Sequence, residues 1–168
     1  MLSVFDGLRD VTTLSVFVRL ACALICGGII GIERSYKRRP AGFRTHILIC
    51  IGAAITTLTS QYLYLNMHYF TDMARLGAQV VAGIGFIGAG TIIVTKRQRV
   101  KGLTTAAGLW TSAIIGLTFG GGFYEGGILA TVFIMLAELV FSRIEYRVLE
   151  NVPEINLYME YEDKHCLD

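Results

Sequence analysis

The side chains able to do chemistry fall into three short groups. Glu33 and Arg34 sit just before a basic loop, and Arg44 and Thr45 close it. Asp72 and Arg75 are three residues apart, so on a helix they share a face, and Gln79 extends that face by one turn. Thr104 and Thr105 follow a second basic stretch. Carboxylate, amide and hydroxyl groups gathered in this way can bind or sense an ion. The same residues can equally form interfacial salt bridges that fix helix register. Both readings stand, and the sequence leaves open whether a metal binds. It shows no Ser/His/Asp arrangement and no metal triad, so neither enzymatic activity nor a cofactor is expected. Cys22 and Cys26 lie one helical turn apart. Two thiols without a nearby His or carboxylate make a weak metal site, so the pair reads as small packing residues.

A glycine run invites a different chemistry. Gly83-Ile-Gly85-Phe-Ile-Gly88-Ala-Gly90 matches the dinucleotide pattern GxGxxG. That pattern has meaning between a strand and a helix, with an acidic residue about 20 positions on. No Asp or Glu occurs from 73 to 124, so nucleotide binding is set aside. Two membrane readings compete. One is close helix packing through small residues. The other is a break in the helix, which survives at membrane depth only inside protein or along a wet cavity. Small pairs four residues apart recur at Gly27/Gly31, Ala78/Ala82 and Gly85/Ala89. Gly108, Ser112, Gly116 and Gly120 repeat the spacing and mark a groove down one helix face.

The elements that must position these residues follow from the gaps between charges. Of 168 residues, 54% are hydrophobic and 17% charged. An ordinary soluble domain carries about 25% charged residues, so a conventional soluble enzyme is excluded. A spanning helix needs about 20 apolar residues. Residues 45–71, 76–95 and 102–124 carry no charged side chain; 11–32 carry only Arg19 and 126–142 only Glu138. Five spans are therefore expected near 13–32, 46–65, 76–95, 103–123 and 126–143. Arg19 and Glu138 are expected to face the bundle or reach towards an interface. His46 and His68 fall at span ends and are expected at the interface. The chain divides into an external N-terminus over 1–12, a transmembrane domain over 13–146 and a tail over 147–168.

Orientation follows from the basic residues. Of the 15 Lys and Arg, 12 lie in the segments after spans one, three and five. The positive-inside rule then puts the N-terminus outside and the C-terminus in the cytoplasm. Under that topology Asp72 and Glu33 lie at opposite faces, so the polar residues form two sites unless a helix is broken. An internal echo links Gly42-Phe-Arg-Thr45 to Gly102-Leu-Thr-Thr105, with Ala53 matching Ala113. It hints at a parallel repeat. In the tail, residues 155–161 alternate with the period of a strand.

Several ordered motifs together resemble one family. They are Gly31-Ile-Glu33-Arg34, Ala41-Gly-Phe-Arg-Thr-His46, Asp72-Met-Ala-Arg75 with Gln79, the run Gly83 to Gly90, and Gly102-Leu-Thr-Thr-Ala-Ala107 with Trp110. The chain is similar to the MgtC/SapB family over about residues 14–143. The resemblance implies a multi-pass protein of the bacterial inner membrane with about five spans. It also implies links to growth under magnesium limitation, to survival inside host cells and to restraint of the membrane ATP synthase. By motif, Glu33, Arg34, Arg44, Asp72, Arg75, Gln79 and the 83–90 glycines would be the functional positions. Larger members continue into an ACT-like domain, of which the tail here would be an incomplete start. The expectation is an all-α polytopic membrane protein that regulates by binding another integral membrane protein. Its partners are membrane lipid, that protein and a second copy of itself, with no nucleic acid. Transport of magnesium or another small solute is the alternative.

Overall fold

A computed structural model describes residues 3–69, 72–96 and 99–149. Among them the fold is almost entirely α-helical, and it divides into two compact units, Met1–Met135 and Leu136–Asp168.

The first unit begins with a 3-10 segment, Ser3–Leu8. Helix α1 is Thr13–Tyr36. It starts where Thr12 and Ser15 exchange side-chain and backbone hydrogen bonds, satisfying two of the amides that a helix start leaves open. Helix α2 is Phe43–Leu65, α3 is Arg75–Ala89, α4 is Leu103–Gly120 and α5 is Tyr124–Leu136. A two-residue antiparallel ladder, β1 Ile93–Val94 against β2 Val100–Lys101, lies between α3 and α4.

Helix α2 is central, packing on α1 and on α4, while α3 covers α4 and the near side of α2. The contacts fix directions. Gly27 lies against His46 and Cys50, and Gly31 against Phe43, so α1 and α2 are antiparallel. Gly116 lies against Cys50 and Gly120 against Ala54, so α2 and α4 run parallel. Gly77 meets Leu117 and Gly88 meets Ala106, so α3 returns antiparallel to α4. Ala53 and Ala113, the pair matched by the internal echo, meet in one buried cluster with Ile84. The larger core joins Ala23, Cys26 and Ile30 of α1 to Cys50 and Ala54 of α2, with Ile115, Phe119 and Tyr124 closing it.

Four helices are long and apolar enough to cross a membrane: Thr13–Tyr36, Phe43–Leu65, Leu103–Gly120 and the run Tyr124–Ile144. Helix α3 has the expected place but not the expected length. It was expected to continue to residue 95 and stops at Ala89 after 15 residues. At about 1.5 Å per residue it is about 22 Å long, short of the roughly 30 Å of hydrocarbon. The cause is local. The Thr91 hydroxyl donates to the Gly88 carbonyl at 2.7 Å and closes the last turn. The β-branched string Thr-Ile-Ile-Val-Thr95 then prefers extended backbone. The glycine run itself is helical through Ala89, so no break falls inside it.

The second unit contains a π-helical segment, Ala137–Phe141, and helix α6, Ser142–Leu149. The Ser142 hydroxyl donates to the Glu138 carbonyl at 2.5 Å. Residues 150–168, including the strand-like alternation, lie outside the described residues.

Candidate functional site

The expected polar residues separate into two groups at opposite ends of α4. Glu33, Arg34 and Thr105 come together at its N-terminal end. Arg34 is 1% exposed, and its guanidinium donates to the Thr105 hydroxyl at 3.0 Å, tying α1 to the first turn of α4. Glu33 is 6% exposed and pairs with Lys37, one turn on, at 2.6 Å. A carboxylate buried this deeply needs a cation beside it. Arg44 and Thr104 are exposed and Thr45 is half-buried. His46, in the first turn of α2, is fully buried against Gly108, with its Nδ1 2.9 Å from the Gly42 carbonyl.

Asp72, Arg75 and Gln79 are all exposed at the N-terminal end of α3, beside the C-terminal half of α4. The Asp72 carboxylate accepts from the Ala74 amide at 2.9 Å and serves as a local cap. Among the described residues no ion pair joins Asp72 to Arg75. The two expected sites therefore stay apart, as the topology required.

A third polar centre was not foreseen as such. Arg19 is fully buried. One terminal nitrogen donates to Gln61 Oε1 at 2.7 Å and to the Gly120 carbonyl at 2.9 Å. The other donates to the carbonyls of Arg9 at 2.6 Å and Leu8 at 3.3 Å. The cation thus meets the last carbonyl of α4, at the negative end of that helix dipole. Gly122, at φ 77, lets the chain turn there, and a Cβ on it would come within 2.9 Å of the guanidinium. Nearby, Arg9 pairs with Glu125 at 2.7 Å and Asp6 at 3.2 Å. Desolvation pulls the Arg9 guanidinium down, but the hydrogen bonds and charges of Asp6 and Glu125 outweigh it and hold it above its ordinary value. The signal for Arg19 was present in the sequence as a lone cation in an apolar span; its acceptors were not.

The glycines sort by what surrounds them. Those of α1 and α4 are occupied: a Cβ on Gly27 would lie 2.9 Å from Cys50 Cβ, and one on Gly31 2.7 Å from Phe43 Cα. A Cβ on Gly116 or Gly120 would collide with the Cys50 or Ala54 carbonyl. The expected groove on α4 is real, and α2 fills it. Gly88 touches Ala106, and Gly90 lies against the carbonyls of its own last turn. Gly52, Gly83 and Gly85 face open space. Gly52 and Gly83 border a groove of about 350 Å³ between α2 and α3, with Leu48, Thr56, Val80 and Ile87 along its sides.

A second concavity lies at the Arg34 end of the same unit. Its volume is about 600 Å³. Arg38, Arg39 and Pro40 of the α1–α2 loop form one wall, and Ile93, Lys101 and Gly102 part of the other.

Comparison with known proteins matches this architecture to a family. The MgtC family matches residues 20–147. The chain is 42% identical over 149 residues to "Putative magnesium transporter YhiD" of Escherichia coli (strain K12), covering 86% of this chain and 69% of that one. It is 37% identical over 131 residues to "Protein MgtC" of Salmonella typhimurium (strain LT2), covering 78% of this chain and 54% of the relative. The chain therefore spans about half the length of that second protein. No solved structure matches it. With four membrane-capable helices, and with the family's match running over most of them, the chain is a membrane protein that belongs to the MgtC family.

Proposed function

We propose that this protein is a membrane regulator that acts by binding another integral membrane protein through the α2–α3 groove. The observation that carries the reading is the contrast among its glycines. Those of α1 and α4 are consumed by packing against α2, whereas Gly52 and Gly83 stay open beside one groove. In lipid, open small residues let a second helix approach backbone to backbone. The interior of the α1–α2–α4 bundle is filled, with Ala23, Cys50, Ala54 and Phe119 fully buried, which favours binding over conduction through a single copy. A setting in the bacterial inner membrane under magnesium limitation, with the ATP synthase as the partner, belongs to the same reading. So does self-association through the outer face of α3, where Gly85 is open and Phe86 is 86% exposed.

Pull-down of ATP synthase subunits from membranes tests the groove. Gly83→Leu fills it, and capture is expected to fall at least tenfold; unchanged capture with both Gly83→Leu and Gly52→Leu would refute the reading. For self-association, cross-linking in membranes is expected to give a dimer that Gly85→Leu removes. Magnesium transport is the second reading, supported by the name of the Escherichia coli relative, putative magnesium transporter YhiD. Magnesium flux into liposomes above that of empty vesicles, abolished by Asp72→Ala, would replace regulation with transport.

A further inference from the structure

We propose that the cleft between the two basic loops is a site for a phosphate group, carried either by a lipid headgroup or by a soluble phosphate. Arg38 and Arg39 reach it from the α1–α2 loop and Lys101 from β2. No Asp or Glu lines it, and among the described residues no ion pair engages any of these three cations. Three like charges converging on one concavity repel one another unless an anion sits between them.

The backbone adds to the same field. Helix α4 starts at the cleft, and no side chain caps it. Its first-turn amides and the positive end of its dipole are therefore turned to whatever fills the space. Gly102, at φ 98, closes the chain against the Thr91 carbonyl where a Cβ would collide, which brings the helix start up to the cleft. Across the cleft, α1 ends with Arg38 at φ 52 and with the Arg39 amide donating to the Arg34 carbonyl at 3.0 Å. Glycine is the residue this helix ending favours, and a side chain there costs about 1 kcal/mol or more. The chain nevertheless carries an arginine. Thr105, on the wall, is held by the buried Arg34, so the cleft rests on an anchored floor. At about 600 Å³ it has room for a phosphate ester with part of its alcohol, and Pro40 and Ile93 supply apolar wall for that part.

The site lies apart from the α2–α3 groove and does not depend on it. Two binding arms use the purified full chain in detergent. Calorimetric titration with inorganic phosphate reads the soluble source. Native mass spectrometry with phosphatidylglycerol against phosphatidylcholine reads the headgroup. Saturable binding is expected in at least one arm, and the arm that responds names the source. Arg39→Gln with Lys101→Gln is expected to weaken it about tenfold or more, since each substitution removes a charge-assisted hydrogen bond. Lys101→Arg, which keeps the charge, is expected to retain it, and Arg143→Gln with Arg147→Gln, the same charge loss at residues that do not line the cleft, to leave it unchanged. Binding in neither arm would overturn the proposal. So would equal loss in the Arg143/Arg147 variant, or loss in Lys101→Arg matching that of the neutral pair.

Discussion

At the scale of single residues, Arg19 shows what a buried cation requires. Its four acceptors come from the N-terminal segment, from Gln61 near the end of α2 and from the last turn of α4. Arg19→Leu removes the donor from four acceptors, of which the Leu8 carbonyl keeps the Tyr124 hydroxyl and the Gly120 carbonyl is buried, and each buried acceptor left unpaired costs about 1–3 kcal/mol. A loss of roughly 3 kcal/mol or more is expected in the midpoint of detergent-induced unfolding. Arg19→Lys should rescue little, because an ammonium lacks the planar fork that bridges two pairs of acceptors. Wild-type stability in the lysine variant would show that charge alone suffices. The sequence exposed the anomaly of Arg19 but not its solution, because acceptors up to about 100 residues away are a tertiary fact.

At the scale of elements, the small-residue spacing marks one face each on α1 and α4 and leaves the occupant of those faces open. The occupant is α2, itself apolar on most sides, which is why its sequence did not announce a preferred face. Gly116→Ala drives a methyl into the Cys50 carbonyl and should cost about 1–3 kcal/mol through overpacking. Gly83→Ala meets open space and should be neutral or slightly stabilising, since alanine is the better helix former. Thermal melts of the two variants in one detergent give the comparison, and equal midpoints would contradict the packing described here. Helix ends were less legible. The shared apolar character of residues 76–95 concealed the change at Gly90 from helix to extended chain, which depends on β-branching and a threonine cap. Of the polar site, the link between Arg34 and Thr105 joins residues singled out separately in the sequence. The basic cleft was hidden because loop cations also satisfy a simpler role in setting topology.

At the scale of the whole molecule, parallel α2 and α4 impose a constraint that no single helix shows. The chain leaves α2 at one end of the bundle and must enter α4 at the other. Helix α3 makes that return, running from beside Leu117 to beside Ala106, and the antiparallel ladder after it brings Gly102, at the start of α4, back against Thr91. The orientation expected from the charges requires this return between α2 and α4. A C-terminal fluorescent-protein fusion should fold and fluoresce in the cytoplasm, and a phosphatase fused at residue 70 should be active outside. The reverse pattern would invert the proposed topology.

The setting of Arg19 also bears on how the chain is made. Synthesis delivers Leu8, Arg9 and Gln61 early, but the Gly120 carbonyl emerges only after α3 and most of α4. A lone arginine at the centre of a spanning helix costs about 2.5–3.5 kcal/mol at insertion, and Arg19, in the second turn of α1, costs less. Arg19 of α1 therefore gains its last acceptor only when α4 arrives. A chain arrested before residue 120 leaves this arginine without one of its four acceptors.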